Sequence, residues 1–123
     1  MGGAQACTTT LICVMPDGTA KVVADHLGLP NGMVLTPDRR TFIVAETMMN
    51  RLSAFSVSGD SLSDRRIWAA FGEPPRSTAV PEILEQAAVV PDGICLDAEG
   101  AVRVADVFNN RLIRVIEGGT IVN

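Results

Sequence analysis

The chain has 123 residues and a formal net charge of −4, and its 47% hydrophobic and 20% charged residues are typical of an ordinary globular domain rather than of a disordered chain. Four Phe, one Trp and no Tyr provide few surfaces on which nucleic-acid bases could stack, and the negative net charge opposes binding to phosphates. Nucleic acid is therefore not expected as a partner.

The N-terminal sequence MGGAQACTTTLICVM has no positively charged start and only a short apolar run, so it predicts neither a signal peptide nor a membrane span. Cys7, Cys13 and Cys95 are an odd number of cysteines without CxxC spacing, which argues against both a disulfide framework and a cysteine-rich zinc site. These features predict a reducing, cytoplasmic location without membrane attachment.

The first predicted elements are two strands, residues 9–14 and 21–24, on either side of the turn Pro16-Asp17-Gly18. After them, LPNGMVLTPDRRTFIVAETMMNRLSAFSV aligns with VPDGICLDAEGAVRVADVFNNRLIRVI with one gap, at an offset of about 60 residues. Asn31-Gly32 then matches Asp92-Gly93. The sequence therefore contains two copies of one structural unit.

Each copy has three short β-rich runs separated by turn residues, which predicts an antiparallel meander. A fourth strand is predicted after each meander, complete in the first copy and beginning in the second. The predicted strands are residues 33–36, 41–45, 52–57 and 64–70, then 94–96, 102–105, 112–116 and 120–122. Four-stranded meanders repeated about an axis are the blades of a β-propeller, which closes with about four to eight of them.

The predicted fold is therefore all-β, an incomplete β-propeller in one domain that spans residues 1–123. Its predicted parts are an outer half-blade at about 9–25, a complete blade at 30–71, an inter-blade loop at 72–90 and a second blade at 91–123. The loop contains three prolines and a helix-compatible run at 81–88. Long loops of this kind are either functional or disordered connectors, and composition leaves both open.

These residues resemble the SMP-30/gluconolactonase family, also called regucalcin-like. The resemblance covers most of residues 12–122 and rests on MPDGTAKVVADHLGLPNGMVLTPD, on FIVAETMMNRLSAF, on the Arg65-Arg66 fourth strand, and on VPDGICLDAEGAVRVAD followed by NRLIRV. Members of that family are six-bladed propellers with one divalent cation in the central channel. The resemblance therefore implies a metal-dependent hydrolase of lactones or cyclic esters.

In that family the Asn of the Pro-Asn-Gly turn and the Asp of the Pro-Asp-Gly turn in the next blade bind the metal. The resemblance thus assigns Asn31 and Asp92 as metal ligands, and Asp92 also as the catalytic general base. It implies Ca²⁺, Zn²⁺ or Mn²⁺ as the cofactor, with Ca²⁺ favoured, and a small lactone or ester as the partner. The family's N-terminal Glu ligand and a channel Asn of the preceding blade have no counterpart in this sequence.

The physical case for Asn31 and Asp92 is that an amide oxygen and a carboxylate suit a hard cation. First strands of propeller blades line the channel, so equivalent residues of two repeats can converge there. A carboxylate beside a polarised water could accept a proton during attack. The competing interpretation is that Asn-Gly and Asp-Gly only form turns, as such dipeptides most often do.

Other candidates carry less weight. His26, the only histidine, follows an outer strand and is expected at the surface or in packing, and no GxSxG motif accompanies it. Met48 and Met49 are expected either to contact an apolar substrate at the channel mouth or to fill gaps. The repeat-equivalent carboxylates Glu46 and Asp106 are expected to be solvated or to cap turns.

About two and a half blades would leave unpaired strand edges, which invite pairing with another chain. One hypothesis is that the chain is a fragment of a longer lactonase-like protein, so that the rest of the propeller is its partner. Another is a homo-oligomer of copies joined edge to edge. A non-catalytic module that binds through its edges and the 72–90 loop, and a product without function, also remain open.

Overall fold

The computed structural model describes residues 5–122, in which the strands form three antiparallel sheets. A two-stranded sheet, called the outer sheet below, comes first and consists of β1 (Thr9–Val14) and β2 (Ala20–Leu27). The first blade is a four-stranded meander of β3 (Pro30–Leu35), β4 (Thr41–Glu46), β5 (Arg51–Ser58) and β6 (Ser61–Ala70).

The second blade repeats that meander with β7 (Pro91–Leu96), β8 (Val102–Asp106), β9 (Arg111–Val115) and β10 (Ile121–Val122). The segment between the two blades contains the helix α1 (Val80–Gln86), and a short 3₁₀ turn (Val107–Asn109) separates β8 from β9. The prediction of an all-β fold built from four-stranded antiparallel meanders is confirmed for the residues that the structure describes.

Three of the hairpin turns share one local feature, an aspartate that accepts the backbone N–H of the residue two positions later. Asp17 binds the N–H of Thr19 at 2.9 Å, and Asp38 binds the N–H of Arg40 at 3.0 Å. Asp97 binds the N–H of Glu99 at 3.0 Å in the same way. These side-chain bonds add to the backbone bonds of the turns, such as that from the N–H of Gly18 to the carbonyl of Met15 at 2.8 Å, which is why short polar residues specify these strand connections.

Two apolar clusters hold the three sheets together. The larger lies between the blades, and the smaller lies between the outer sheet and the first blade. The larger contains Ile43, Ala45, Leu52, Ala54, Trp68, Ala69, Val89, Val102, Val104, Ile113 and Val115. The smaller contains Leu11, Leu27, Val44 and Phe55. Ile43 and Ala45 of β4 therefore face the second blade and Val44 faces the outer sheet, because successive side chains of a strand point to opposite faces.

Residues 5–122 contain no helix with the length and apolar character needed to cross a membrane. The three cysteines are free thiols, with Cys7 and Cys95 exposed and Cys13 partly buried.

Candidate functional site

The segment that carries Asn31 is a bulge within a strand. Pro30 pairs with Glu46 and Met33 pairs with Val44, so three steps along β3 match two steps along β4. The extra residue falls at Asn31-Gly32. The expectation that Pro30-Asn31-Gly32 forms a turn ahead of the first strand is therefore wrong, because the chain is already paired at Pro30.

The segment that carries Asp92 has the same irregularity. Pro91 pairs with Asp106 and Ile94 pairs with Val104, so the extra residue of β7 falls at Asp92-Gly93. Here too the turn expected at Pro91-Asp92-Gly93 is a bulge. Bulges are common beside active sites, where they change the direction of a side chain, so the interpretation of both dipeptides as mere turn formers does not hold.

The two bulges lie against each other. A methyl group placed on Gly32 would be 2.4 Å from the carbonyl oxygen of Asp92 and 2.6 Å from the backbone nitrogen of Ile94. Only the absence of a side chain at Gly32 allows β3 and β7 to approach this closely. The structure thus brings the backbones beside Asn31 and Asp92 together, although the two residues are far apart in sequence.

Asn31 is exposed and Asp92 is partly buried, so both side chains remain accessible to a ligand. An amide oxygen and a carboxylate are donors that fit a hard cation such as Ca²⁺, which takes six to eight oxygen ligands. Among residues 5–122 no three His, Cys, Asp or Glu side chains cluster as a metal site would require. The described chain therefore offers two donors of suitable chemistry, and the metal site itself stays a prediction.

Each of the three residues that lead into and begin β7 is hydrogen-bonded to a side chain. The N–H of Val89 donates to Oδ1 of Asn50 at 3.0 Å, and the N–H of Val90 donates to Oδ1 of Asp106 at 2.9 Å. The carbonyl oxygen of Pro91 accepts the hydroxyl of Thr47 at 2.7 Å. Two of these three partners belong to the first blade, so that blade fixes where β7 begins.

Glu46 is fully buried and ionised among donors. Its carboxylate accepts from Arg51 at 2.7 Å, from Arg65 at 3.2 Å, from the N–H of Gly28 at 3.0 Å and from the hydroxyl of Ser53. Burial by itself would raise the pKa of Glu46, but the hydrogen bonds from Arg51, Ser53 and Gly28 outweigh it and hold the pKa below its ordinary value. The expectation of a solvated side chain is wrong, whereas a capping role fits.

Asp106 repeats this arrangement in the second blade. It is fully buried and accepts from the N–H of Val90, from Arg111 at 2.7 Å and from Asn109 at 2.8 Å. Burial raises its pKa, and the bonds from Val90, Arg111 and Asn109 lower it by more, so that the pKa lies below the ordinary value. Each carboxylate therefore caps the chain that enters the first strand of its own blade.

Sequence reasoning missed these anchors. The available signal was an acidic residue followed by Arg five positions later in both repeats, Glu46 to Arg51 and Asp106 to Arg111. Arg65 also donates to the carbonyls of Asp25 and His26 and so joins the outer sheet to the first blade.

The remaining candidates are the histidine and the two methionines between β4 and β5. His26 is exposed and pairs with Asp25 at 2.9 Å. Met49 packs on Gly28, where an added methyl would be 2.2 Å from its Cγ. Met48 and Met49 also line a small cavity of about 190 Å³ beside Pro75 and Ile83. Gap filling, one of the two roles expected for these methionines, therefore describes Met49.

The comparison with protein families gives one match that spans nearly the whole chain. The model described as "SMP-30/Gluconolactonase/LRE-like region" matches residues 2–123. This agrees with the resemblance carried by the repeat motifs.

Two solved structures share the fold. A luciferin-regenerating enzyme superposes with a TM-score of 0.74 at 19% identity, over 93% of this chain and 35% of its own. A gluconolactonase from Xanthomonas campestris superposes with a TM-score of 0.67 at 24% identity, over 92% of this chain and 33% of its own. At these identities the likeness concerns the fold. The chain spans about a third of each of these proteins, which fits an incomplete propeller.

Proposed function

The chain belongs to the SMP-30/gluconolactonase/LRE-like family, and we propose that it forms part of a divalent-metal-dependent hydrolase that opens lactones or related cyclic esters. In this proposal Asn31 and Asp92 are metal ligands, Asp92 is also the general base, and Ca²⁺ is the favoured metal because both donors are oxygens. The three free cysteines support a reducing, cytoplasmic location.

The observation that carries the proposal is the contact between the two bulges. Because Gly32 lies directly against the carbonyl of Asp92, the backbones that carry Asn31 and Asp92 are in contact on β3 and β7, the facing edge strands of adjacent blades. In this proposal two oxygen donors of different charge are presented from two neighbouring strands. Sites on strands hold their ligands more accurately than sites on loops.

The two residues would play different chemical parts. A bound divalent cation supplies a Lewis acid that polarises a substrate carbonyl or an attacking water. The neutral amide oxygen of Asn31 can only bind and orient. The carboxylate of Asp92 can also accept a proton from the attacking water, since its partly buried position leaves it open to solvent. The remaining donors are expected from water, from substrate or from residues outside 5–122.

We expect calorimetric titration with Ca²⁺, Zn²⁺ and Mn²⁺ to show binding to the wild-type chain, and Asn31→Ala and Asp92→Ala each to weaken it by at least about 100-fold. Loss of a group that merely hydrogen-bonds a ligand already costs about 10–100-fold in metal affinity, and these residues are proposed as the ligands themselves. Absence of binding by wild type, or undiminished binding by either variant, would contradict the proposal.

Asp17→Ala is the matched control. Asp17 stands in a second Pro-Asp-Gly sequence, but there it forms a true turn between β1 and β2 and binds Thr19. The substitution removes the same chemical group from the same tripeptide without touching the bulges. Metal affinity should therefore equal that of wild type, and an equal loss in this variant would mean that the titration reports unspecific binding to carboxylates.

A second candidate function is a module that associates with copies of itself. The groove between the outer sheet and the first blade, about 610 Å³ in volume, is lined by Ile12, Met33 and Leu35. These side chains are 58%, 52% and 47% exposed, and Val14 on β1 is 68% exposed. In the described residues β1 pairs only with β2, so one of its edges is open for another strand.

Light scattering on the purified chain tests this association. A dimer or larger assembly that dissociates on replacement of Ile12 and Val14 by Lys is the expected result, because charges on an edge strand prevent strand pairing. Replacement of the equally exposed Ile67 on β6 by Lys is the control, since that residue lies outside the groove. A monomeric wild-type chain would rule the assembly out.

A further inference from the structure

We propose that Thr47 is a positioning residue that sets the two ligand-bearing bulges relative to each other. It lies just after β4 and contacts the chain ahead of both. Its N–H donates to the carbonyl of Leu29 at 3.1 Å, and its hydroxyl donates to the carbonyl of Pro91 at 2.7 Å. Leu29 precedes Asn31 by two residues, and Pro91 precedes Asp92 directly. The functional meaning of the inference rests on the proposed roles of Asn31 and Asp92.

The hydrogen bond from the hydroxyl of Thr47 to Pro91 lies in a buried place. Thr47 is 6% exposed, and Pro91 is buried. Water therefore has little access to replace the bond if it is lost. Proline has no N–H, so its carbonyl is the only backbone group through which Pro91 can be held. The bond between Thr47 and Pro91 thus holds the residue directly before Asp92.

The hydrogen bond from Thr47 to Pro91 belongs to a network that also includes Asn50 of the same loop. Asn50, buried and in the left-handed conformation at φ 57°, binds the N–H of Val89 through Oδ1. Its Nδ2 donates to the carbonyl of Glu73 at 3.3 Å. The loop between β4 and β5 thereby holds both ends of the inter-blade segment. Within that network Thr47 is the member that binds the chain ahead of both bulges.

The test begins with the metal-free protein. We expect the NMR order parameters of the Asp92 and Gly93 amides to be about 0.85 in wild type and in Thr47→Ser, and to fall towards 0.6 in Thr47→Val. Serine keeps the donor, whereas valine keeps the shape and removes it. Unchanged order parameters in Thr47→Val would overturn the inference, whether or not the chain binds a metal.

The second measurement is the affinity for Ca²⁺ and Mn²⁺ by calorimetry. We expect Thr47→Val to weaken it by about 10–100-fold, as loss of a ligand's supporting partner does, and Thr47→Ser to restore it. A looser Asp92 with unchanged metal affinity would reduce Thr47 to a structural residue and overturn its positioning role. If wild type binds neither cation, the proposed function is wrong, and the order parameters alone decide whether Thr47 fixes Asp92.

Thr36→Val is the control for general destabilisation. The hydroxyl of Thr36 donates to Asp38 at 2.7 Å in the hairpin at the other end of β3. The same substitution there removes this bond and also the one that the hydroxyl accepts from the N–H of Thr41 at 3.0 Å, without touching either bulge. Equal changes at Asp92 in Thr36→Val and Thr47→Val would overturn the inference, because they would show a global effect of lost stability.

Discussion

Replacement of Glu46 by alanine is expected to lower the free energy of unfolding by about 3–5 kcal/mol, because it leaves two arginines without their buried partner. Glu46 is 0% exposed and receives hydrogen bonds from Arg51 and Arg65 as well as from Ser53 and the N–H of Gly28. Within residues 5–122 the N–H of Gly28 has no other hydrogen-bond acceptor. Urea denaturation followed by Trp68 fluorescence measures the change.

Asp60→Ala is the control for this substitution. Asp60 pairs with Lys21 at 2.8 Å and so, like Arg65, joins the first blade to the outer sheet. Both side chains of this ion pair are well exposed. Exposed pairs contribute about 0–1 kcal/mol. If Glu46→Ala destabilises the protein no more than Asp60→Ala, the buried ion pairs of Glu46 with Arg51 and Arg65 do not stabilise the contact between these sheets.

The pH dependence provides a further check on Glu46. Its pKa in the folded protein lies below the ordinary value of 4.5, so its stabilising contribution is fully present above that value and is lost as the pH falls through the lowered pKa. Wild type should therefore lose stability in this acid range, and Glu46→Ala should lose correspondingly less. Glu46→Gln, which retains most of the volume, separates the loss of charge from the loss of packing.

Gly32→Ala is expected to lower the free energy of unfolding by about 1–3 kcal/mol, the usual cost of forcing an extra carbon into a closely packed site. The added methyl would be 2.4 Å from the carbonyl oxygen of Asp92 and 2.6 Å from the nitrogen of Ile94. Both are backbone atoms of a paired strand, so neither can rotate away. The same urea titration measures the effect.

The matched control is Gly93→Ala, the equivalent position in the second blade. A methyl group on Gly93 would have no atom within 4 Å, and its φ is not in the left-handed region. The change in unfolding free energy should stay within about 0.5 kcal/mol. Equal effects at both glycines would contradict the close contact between β3 and β7.

The strands were predictable because their signal is local. Alternating apolar residues, β-branched runs and turn residues specify the hairpins from neighbouring residues alone, and the repeat supplied the same pattern twice. Several strands are longer than the ranges that the sequence predicted. The β2 strand, for instance, extends to Leu27, whose side chain is buried in the small cluster against the first blade.

The bulges at Asn31 and Asp92 could not be predicted, because Asn-Gly and Asp-Gly are equally good turn formers and only the register with β4 and β8 decides between turn and bulge. The burial of Glu46 and Asp106 could not be predicted from the sequence for a related reason. Isolated carboxylates belong in water, and their burial depends on the donors that surround them once the strands have assembled.

The sequence by itself determined the repeated four-stranded unit and selected Asn31 and Asp92 as equivalent positions within it, since both follow from local pattern and from the comparison of one repeat with the other. Only the tertiary structure decided that Gly32 lies against Asp92 and that Thr47 holds the chain ahead of both bulges. The contacts of Gly32 with Asp92 and of Thr47 with Pro91 join residues of different blades, and they arise from packing between sheets that no local propensity encodes.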